Sequence, residues 1–151
     1  MTKEAIIAQT MAWIEGWRTS PEAPFDLDGF RHIYAQDERF SSFDFGRPHD
    51  GFNDWETAEA YYRQFMTVPA SWRLDPTAPI QVTIRGDVAW STVPLHASGS
   101  LPDGTAFDFP DCRVTLIFER EGDAAWLIVH EHGSSALPFP DEETARKMLG
   151  A

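Results

Sequence analysis

Cysteine and basic residues are both scarce in this chain of 151 residues. The single cysteine, Cys112, excludes an internal disulfide framework and cannot supply the several thiolates of a zinc cluster. Only 12 Lys and Arg stand against 24 Asp and Glu, which gives a formal net charge of -12. Such a surface repels phosphate backbones and anionic lipid, so neither a nucleic acid nor a membrane is an expected partner.

Long apolar runs are also lacking. No stretch approaches the roughly 18 consecutive apolar residues that a membrane-spanning helix needs. The first 18 residues carry Lys3, Glu4, Glu15 and Arg18 around a broken apolar pattern, unlike a secretory signal. Hydrophobic residues make up 42% of the chain and aromatic residues 13%, as in globular proteins. We therefore expect one cytoplasmic domain over residues 1–151.

Apolar side chains at helical spacing predict three helices in the N-terminal half. Pro21 stops the first, and Asn53 or Asp54 caps the third. The predicted ranges are 3–18, 27–35 and 55–68. Asp141 is expected to cap a further short helix near the C-terminus.

Strand patterns fill the rest of the chain. Residues 40–46 alternate, with Phe40, Ser42 and Asp44 on one side of a short strand. Five further strand-like runs follow, and Gly-containing turns separate the last four, which predicts antiparallel neighbours. These runs are 72–76, 79–87, 88–100, 105–121 and 125–136.

The last strand carries His130 and His132 one residue apart. Strict alternation places both on the side of Trp126 and Ile128, with Glu131 on the opposite side. The pair could bind a metal with His96, an aspartate or a glutamate as third ligand. The preferred interpretation is a hydrogen-bonded pair at a subunit interface, with no metal.

Together these elements predict an α+β domain in which three helices pack on one face of a curved antiparallel sheet. The other face is expected to be too apolar for water, and a second copy of the chain is its simplest cover. The residues assigned to that face are Trp90, Val114, Leu116, Phe118, Trp126 and Ile128.

The order of the elements, with the motifs CRVT (112–115) and WLIVHEHGS (126–134), resembles a known family. It is similar to the SnoaL-like or ketosteroid-isomerase-like group of the nuclear transport factor 2 superfamily. That resemblance implies a cone-shaped, cystatin-like fold, usually dimeric, with a pocket between helices and sheet. The last hairpin also resembles the association (hub) domain of calcium/calmodulin-dependent protein kinase II.

The isomerase resemblance carries over onto few residues. It implies an acidic base on the first strand, where Asp44 is the candidate. The tyrosine donor of the first helix is replaced by Trp13 and Trp17, and the second donor is missing near Arg113. Epoxide hydrolases of this fold use an Asp-Arg-Asp arrangement, which Asp44, Arg113 and Asp111 could supply.

The hub resemblance is also incomplete. The arginine that follows the histidine pair in hub domains is Gly133 here, and Tyr61 stands at the position of a pocket histidine. These departures leave two functions open.

We expect a small-molecule pocket protein, working without a cofactor as an isomerase, dehydratase or hydrolase on a modest apolar substrate. The alternative is a non-catalytic ligand-binding or oligomerisation module. Asp44 and Arg113 are the expected catalytic residues. The expected ligand-binding residues are Tyr61, Trp55, Phe65, Trp90, His130, Glu131 and His132.

Overall fold

A computed structural model describes residues 2–45, 48–123 and 125–136. The helices are α1 (Lys3–Gly16), α2 (Leu27–Phe30), which continues as a 3-10 turn (Arg31–Ile33), and α3 (Trp55–Phe65). The strands are β1 (Ser41–Phe43), β2 (Ser71–Pro76), β3 (Gln81–Arg85), β4 (Val88–Ser100), β5 (Ala106–Glu121) and β6 (Ala125–Ser135). The predicted α+β architecture is confirmed. The helix expected from Asp141 lies outside the described residues.

A side-chain cap sets where α3 begins, and a contact with the sheet sets where the second helix ends. Asp54 caps α3, because its carboxylate accepts a hydrogen bond from the backbone N–H of Thr57 at 2.8 Å. The second helix is shorter than predicted. The chain leaves it at Tyr34, and the backbone N–H of Ala35 donates to the carbonyl of Ile128 at the sheet edge. Pairing with the sheet therefore outweighs the helical pattern there.

The sheet has the strand order β1-β6-β5-β4-β2, and β3 also pairs with β4. The long strand β4 pairs with β3 along its first half and with β2 along its second half. All neighbours are antiparallel, as predicted, except that β1 runs parallel to β6. Residues of β1 therefore lie directly beside the second half of β6.

A bulge in β6 changes which side chains face the helices. Phe118 pairs with Ile128, but the preceding residue, Ile117, pairs with His130, so Val129 is an extra residue without a partner. Beyond the bulge the alternation is reversed. The prediction that the two histidines share a face with Trp126 is therefore wrong, because Glu131 takes that face instead.

The core lies between the helices and the inner face of the sheet. Ser91 on β4 and Thr10 on α1, both fully buried, join the two layers by a hydrogen bond of 2.8 Å. The predicted outer set is wrong for five of its six members, because these residues are buried in the core: Val114, Leu116, Phe118, Trp126 and Ile128.

The outer face keeps a smaller apolar patch. Trp90, 37% exposed, pairs with Ile117 across the β4–β5 ladder, and Phe43 at the end of β1 is 46% exposed. In the part of the chain that the structure describes, every helix is too short or too polar to cross a membrane.

Candidate functional site

A hollow lies between the helices and the inner face of the sheet. About 460 Å³ of empty space lies between its walls, a volume that includes open solvent. Its walls come from α1, α3, the chain after β1, and the strands β2 and β6. The lining residues are Trp13, Trp17, Asp44, Phe45, Tyr61, Phe65, Trp72, Leu74 and Glu131.

Glu131 is a buried carboxyl group in the wall of this hollow. The phenol of Tyr62 donates to its Oε1 at 2.5 Å. The indole N–H of Trp13 and the phenol of Tyr34 donate to its Oε2 at 2.7 Å and 3.0 Å. An ionised carboxylate has about four acceptor positions, so these three donors leave one position on Oε1 unused.

Further hydrogen bonds hold the tyrosines that donate to Glu131 in position. Trp17 donates from its indole N–H to the phenol oxygen of Tyr34 at 3.0 Å. Ser42 Oγ lies 3.0 Å from the phenol oxygen of Tyr62. Tyr34 and Tyr62 are almost fully buried, so their rings cannot turn away without opening the core. The carboxyl group is thus held in one orientation.

Burial raises the pKa of Glu131 to about 7, and the negative charge of Asp44 adds to the rise. Hydrogen bonds from Tyr62, Trp13 and Tyr34 act in the opposite direction. Burial, and then the charge of Glu131, raise the pKa of Tyr34 and of Tyr62 well above the ordinary value. Both phenols therefore stay neutral, as hydrogen-bond donors must.

Asp44 is the second carboxyl group of the hollow. It follows β1, and its Oδ1 accepts a hydrogen bond of 2.7 Å from the backbone N–H of Phe45. Burial raises the pKa of Asp44, and this hydrogen bond opposes the rise. Burial and the charge of Asp44 also raise the pKa of Tyr61. Two carboxyl groups with different hydrogen-bond environments are suited to general acid and base roles.

Four of the residues predicted for the site line the hollow together: Asp44, Tyr61, Phe65 and Glu131. Trp55 does not line it. Its ring is buried in the core, 4.7 Å from the ring of Tyr34 and 5.4 Å from that of Phe40. The bulky wall expected from Trp55 is supplied by Trp13, Trp17 and Trp72.

The structure corrects the expected position of Arg113. Its neighbours Cys112 and Val114 point into the core, so Arg113 points away from it. The guanidinium is exposed and donates from Nε to Ser134 Oγ at 3.1 Å. Arg113 therefore does not meet Asp44 in the hollow, and the Asp-Arg-Asp arrangement does not form.

His130, His132 and Trp90 lie on the outer face rather than in the hollow. His130 Nδ1 is 2.8 Å from Ser41 Oγ on the neighbouring strand. Burial, and then His132, lower the pKa of His130. Over residues 2–45, 48–123 and 125–136, no three His, Cys, Asp or Glu side chains converge as metal ligands would.

Sequence reasoning missed the donors that hold Glu131. Trp13, Tyr34 and Tyr62 fall at apolar positions of helical patterns, where a ring is first assigned to the core. Their polar atoms gave a usable signal, because a buried tyrosine or tryptophan usually needs a partner for its O–H or N–H. The bulge at Val129 had no comparable signal in the sequence.

A family model for the SnoaL-like domain matches residues 23–138, and the chain belongs to this family. No curated protein matches the chain.

Solved structures show the same fold at low sequence identity. A nuclear transport factor 2-like superfamily protein from Salmonella enterica serovar Typhimurium is 18% identical, with a TM-score of 0.74, over 93% of this chain and 95% of its own. A candidate ketosteroid isomerase from Parabacteroides distasonis is 19% identical, with a TM-score of 0.63, over 91% and 90%. A candidate calcium/calmodulin-dependent protein kinase II association domain from Xanthomonas campestris is 18% identical, with a TM-score of 0.64, over 89% and 85%.

Proposed function

We propose that this protein is a cofactor-independent enzyme that transfers protons on a small, mainly apolar molecule held in the hollow. The observation that carries the proposal is Glu131, a carboxyl group with a pKa of about 7, fixed by three donors in an apolar wall. A group that titrates near neutral pH can give or take a proton at little cost, which general acid–base catalysis requires.

The two carboxyl groups take different roles in this proposal. In this assignment Asp44 is the ionised carboxylate, whose charge contributes to the raised pKa of Glu131. Asp44 is then the base that removes a proton from carbon. Glu131, protonated below about pH 7, is the acid that delivers a proton to oxygen or to a second carbon.

This pair supports two related reactions. In an isomerisation, the proton that leaves one carbon goes to Asp44, and Glu131 protonates the far end of the resulting enolate. In a dehydration, Asp44 takes the proton next to a carbonyl group, and Glu131 protonates the departing hydroxyl group, which leaves as water. Aromatic walls would exclude bulk water during both steps.

The test is hydrogen exchange and dehydration followed by NMR in D2O. The compounds are small β-hydroxyketones and enones, both neutral and ammonium-bearing, given to the wild type, to Asp44→Asn and to Glu131→Gln. We expect turnover by the wild type and a loss of about 10²-fold or more in each variant. The control is Glu56→Gln, an exposed glutamate on α3. Turnover that survives both site variants, or no turnover of any compound, contradicts the proposal.

The second candidate function is a non-catalytic binding or association module that assembles as a homodimer through the outer face of the sheet. Exposed Trp90, Phe43 and Val88 on that face support it. So does the likeness in fold to the Xanthomonas campestris association domain. In either role we propose that the chain works in the cytoplasm, because thiols are kept reduced there and this chain needs no disulfide.

A further inference from the structure

Among the residues that the structure describes, the walls of the hollow carry negative charge and no positive charge. Among its nine lining residues, Asp44 and Glu131 are acidic, and none is Lys, Arg or His. In the described part of the chain, neither carboxyl group takes part in an ion pair, whereas acids elsewhere, such as Asp75 and Asp87, pair with arginines. The buried carboxylate of Glu131 is costly without a counter-charge among the described residues, and a bound cation would offset that cost.

The remaining lining is aromatic apart from Leu74. The rings of Tyr61 and Phe65 are stacked, with centroids 5.8 Å apart and planes 16° apart. Trp72 stands nearly at right angles to Phe65, at 6.2 Å and 81°. At the C-terminal end of α1, the rings of Trp13 and of the following Trp17 are inclined at 54°. The hollow therefore has ring walls in several orientations, as an aromatic cage does.

Aromatic faces attract cations, and tryptophan does so most strongly. In water the net gain is largest for a positive nitrogen that carries alkyl groups, because its weak hydration costs little to remove. A carboxylate ligand would meet two acids of its own sign. A divalent metal ion would need several oxygen ligands, and here most of the wall is carbon.

We propose that the ligand of this hollow carries a positively charged ammonium nitrogen bearing small apolar groups, held by the aromatic walls and by Asp44. The inference deepens the proposed function by naming the substrate class of the same site. It does not depend on catalysis, since binding alone expresses it.

The negative charge of the hollow depends on pH, because Glu131 titrates and neighbouring groups influence its pKa. Asp44 after β1, Tyr34 after α2 and Tyr62 on α3 are the titratable groups that act on Glu131. Both tyrosines stay neutral, because their pKa values are raised. Glu131 therefore gains its charge near pH 7, and selectivity for a cation should increase from pH 6 to pH 8.

Three compounds of one shape and different charge test the proposal: choline, 3,3-dimethylbutan-1-ol and 3,3-dimethylbutanoate. Binding is measured by calorimetry and by tryptophan fluorescence, since three tryptophans line the hollow. At pH 8 we expect choline to bind at least about fivefold more tightly than the neutral alcohol, and the anion to bind least. The preference should shrink at pH 6.

Asp44→Asn and Glu131→Gln should each reduce the preference for choline. The matched control is Asp87→Asn, which removes a charge in the exposed turn between β3 and β4 and should change nothing. Circular dichroism checks that each variant is folded. If Glu131→Gln does not fold, the result for Asp44→Asn decides the test.

Equal or tighter binding of the alcohol, no binding of choline, or a preference that survives in the folded site variants would overturn the proposal. The two proposals fail separately, because choline has no carbonyl group and undergoes no turnover. Loss of choline binding leaves the proton-transfer assay with neutral ketones intact. Absence of turnover leaves the binding series intact.

Discussion

Tyr62 on α3 and Glu131 on β6 lie 69 residues apart in the chain and are joined by a hydrogen bond of 2.5 Å between the phenol and Oε1. The contact ties a helix to the sheet at the base of the hollow. It also connects stability to chemistry, because the same carboxyl group is buried at a cost and titrates near neutral pH.

The first prediction concerns stability and pH. The native carboxyl of Glu131 keeps its proton to about pH 7, whereas the unfolded one loses it near 4.5. Between these values the folded chain binds more protons, so its stability falls as pH rises. Each pH unit between the two pKa values lowers the free energy of unfolding by about 1.4 kcal/mol, so the total drop is about 3 kcal/mol.

Urea unfolding at pH 5 and pH 8 measures that drop. In Glu131→Gln the drop should be smaller by about 3 kcal/mol, because the titrating group is gone. The amide can replace the protonated carboxyl: its oxygen accepts from Trp13 and Tyr34, and its NH2 group donates to Tyr62. Glu56→Gln, at an exposed site, should keep the full drop. An unchanged drop in Glu131→Gln would show that this carboxyl does not hold its proton.

The second prediction compares two neighbouring tyrosines. Tyr62→Phe removes a hydrogen bond that lowers the pKa of Glu131, so that pKa should rise further. Stability should fall by about 1 kcal/mol at a pH where the carboxyl is ionised. Tyr61→Phe changes the adjacent ring, which lines the hollow and makes no bond to Glu131 among the described contacts. NMR titration of 13C-labelled glutamate should show the shift in Tyr62→Phe only, and an equal shift in both variants contradicts the assignment.

The third helix could be predicted from the sequence because its apolar period is clear, and the long strands because Gly-containing turns separate their alternating patterns. The sheet face on which Glu131 lies could not be predicted. Leu127, Ile128 and Val129 are all apolar, so the alternation that fixes a face is blurred at the point where β6 bulges. One unpaired residue then moves Glu131 inward and His130 outward. A backbone irregularity of this kind depends on the partner strand, and the local sequence does not encode it.

The site was only partly predictable for a related reason. Asp44 was the candidate because the isomerase resemblance implies an acidic base on the first strand, and Asp44 is the acidic residue there. Arg113 was assigned to the wrong face, because its face depends on the register of β5 and the sequence does not determine that register. Tyr34 and Tyr62 look like ordinary core residues until folding brings their hydroxyl groups to one carboxyl group.

The third prediction concerns the outer face of the sheet. If two copies pair there, Trp90 at 37% exposure lies in the interface. Trp90→Glu should then convert a dimer into a monomer in sedimentation experiments, because it would bury an unpaired charge. Val68→Glu, at a 54% exposed position after α3, is the control and should leave the dimer intact. A wild-type chain that sediments as a monomer at high concentration would rule out this assembly.

The fourth prediction follows the acid through the reaction. For neutral substrates, kcat/KM should fall as pH rises through about 7, because Glu131 loses the proton that it must deliver. Glu131→Gln should retain little activity and no inflection near neutral pH. Tyr62→Phe should move the inflection upward, since its hydrogen bond favours the ionised carboxyl. An inflection that stays at the same pH in Tyr62→Phe would mean that a different group limits the rate, and Glu131 would then be a structural residue.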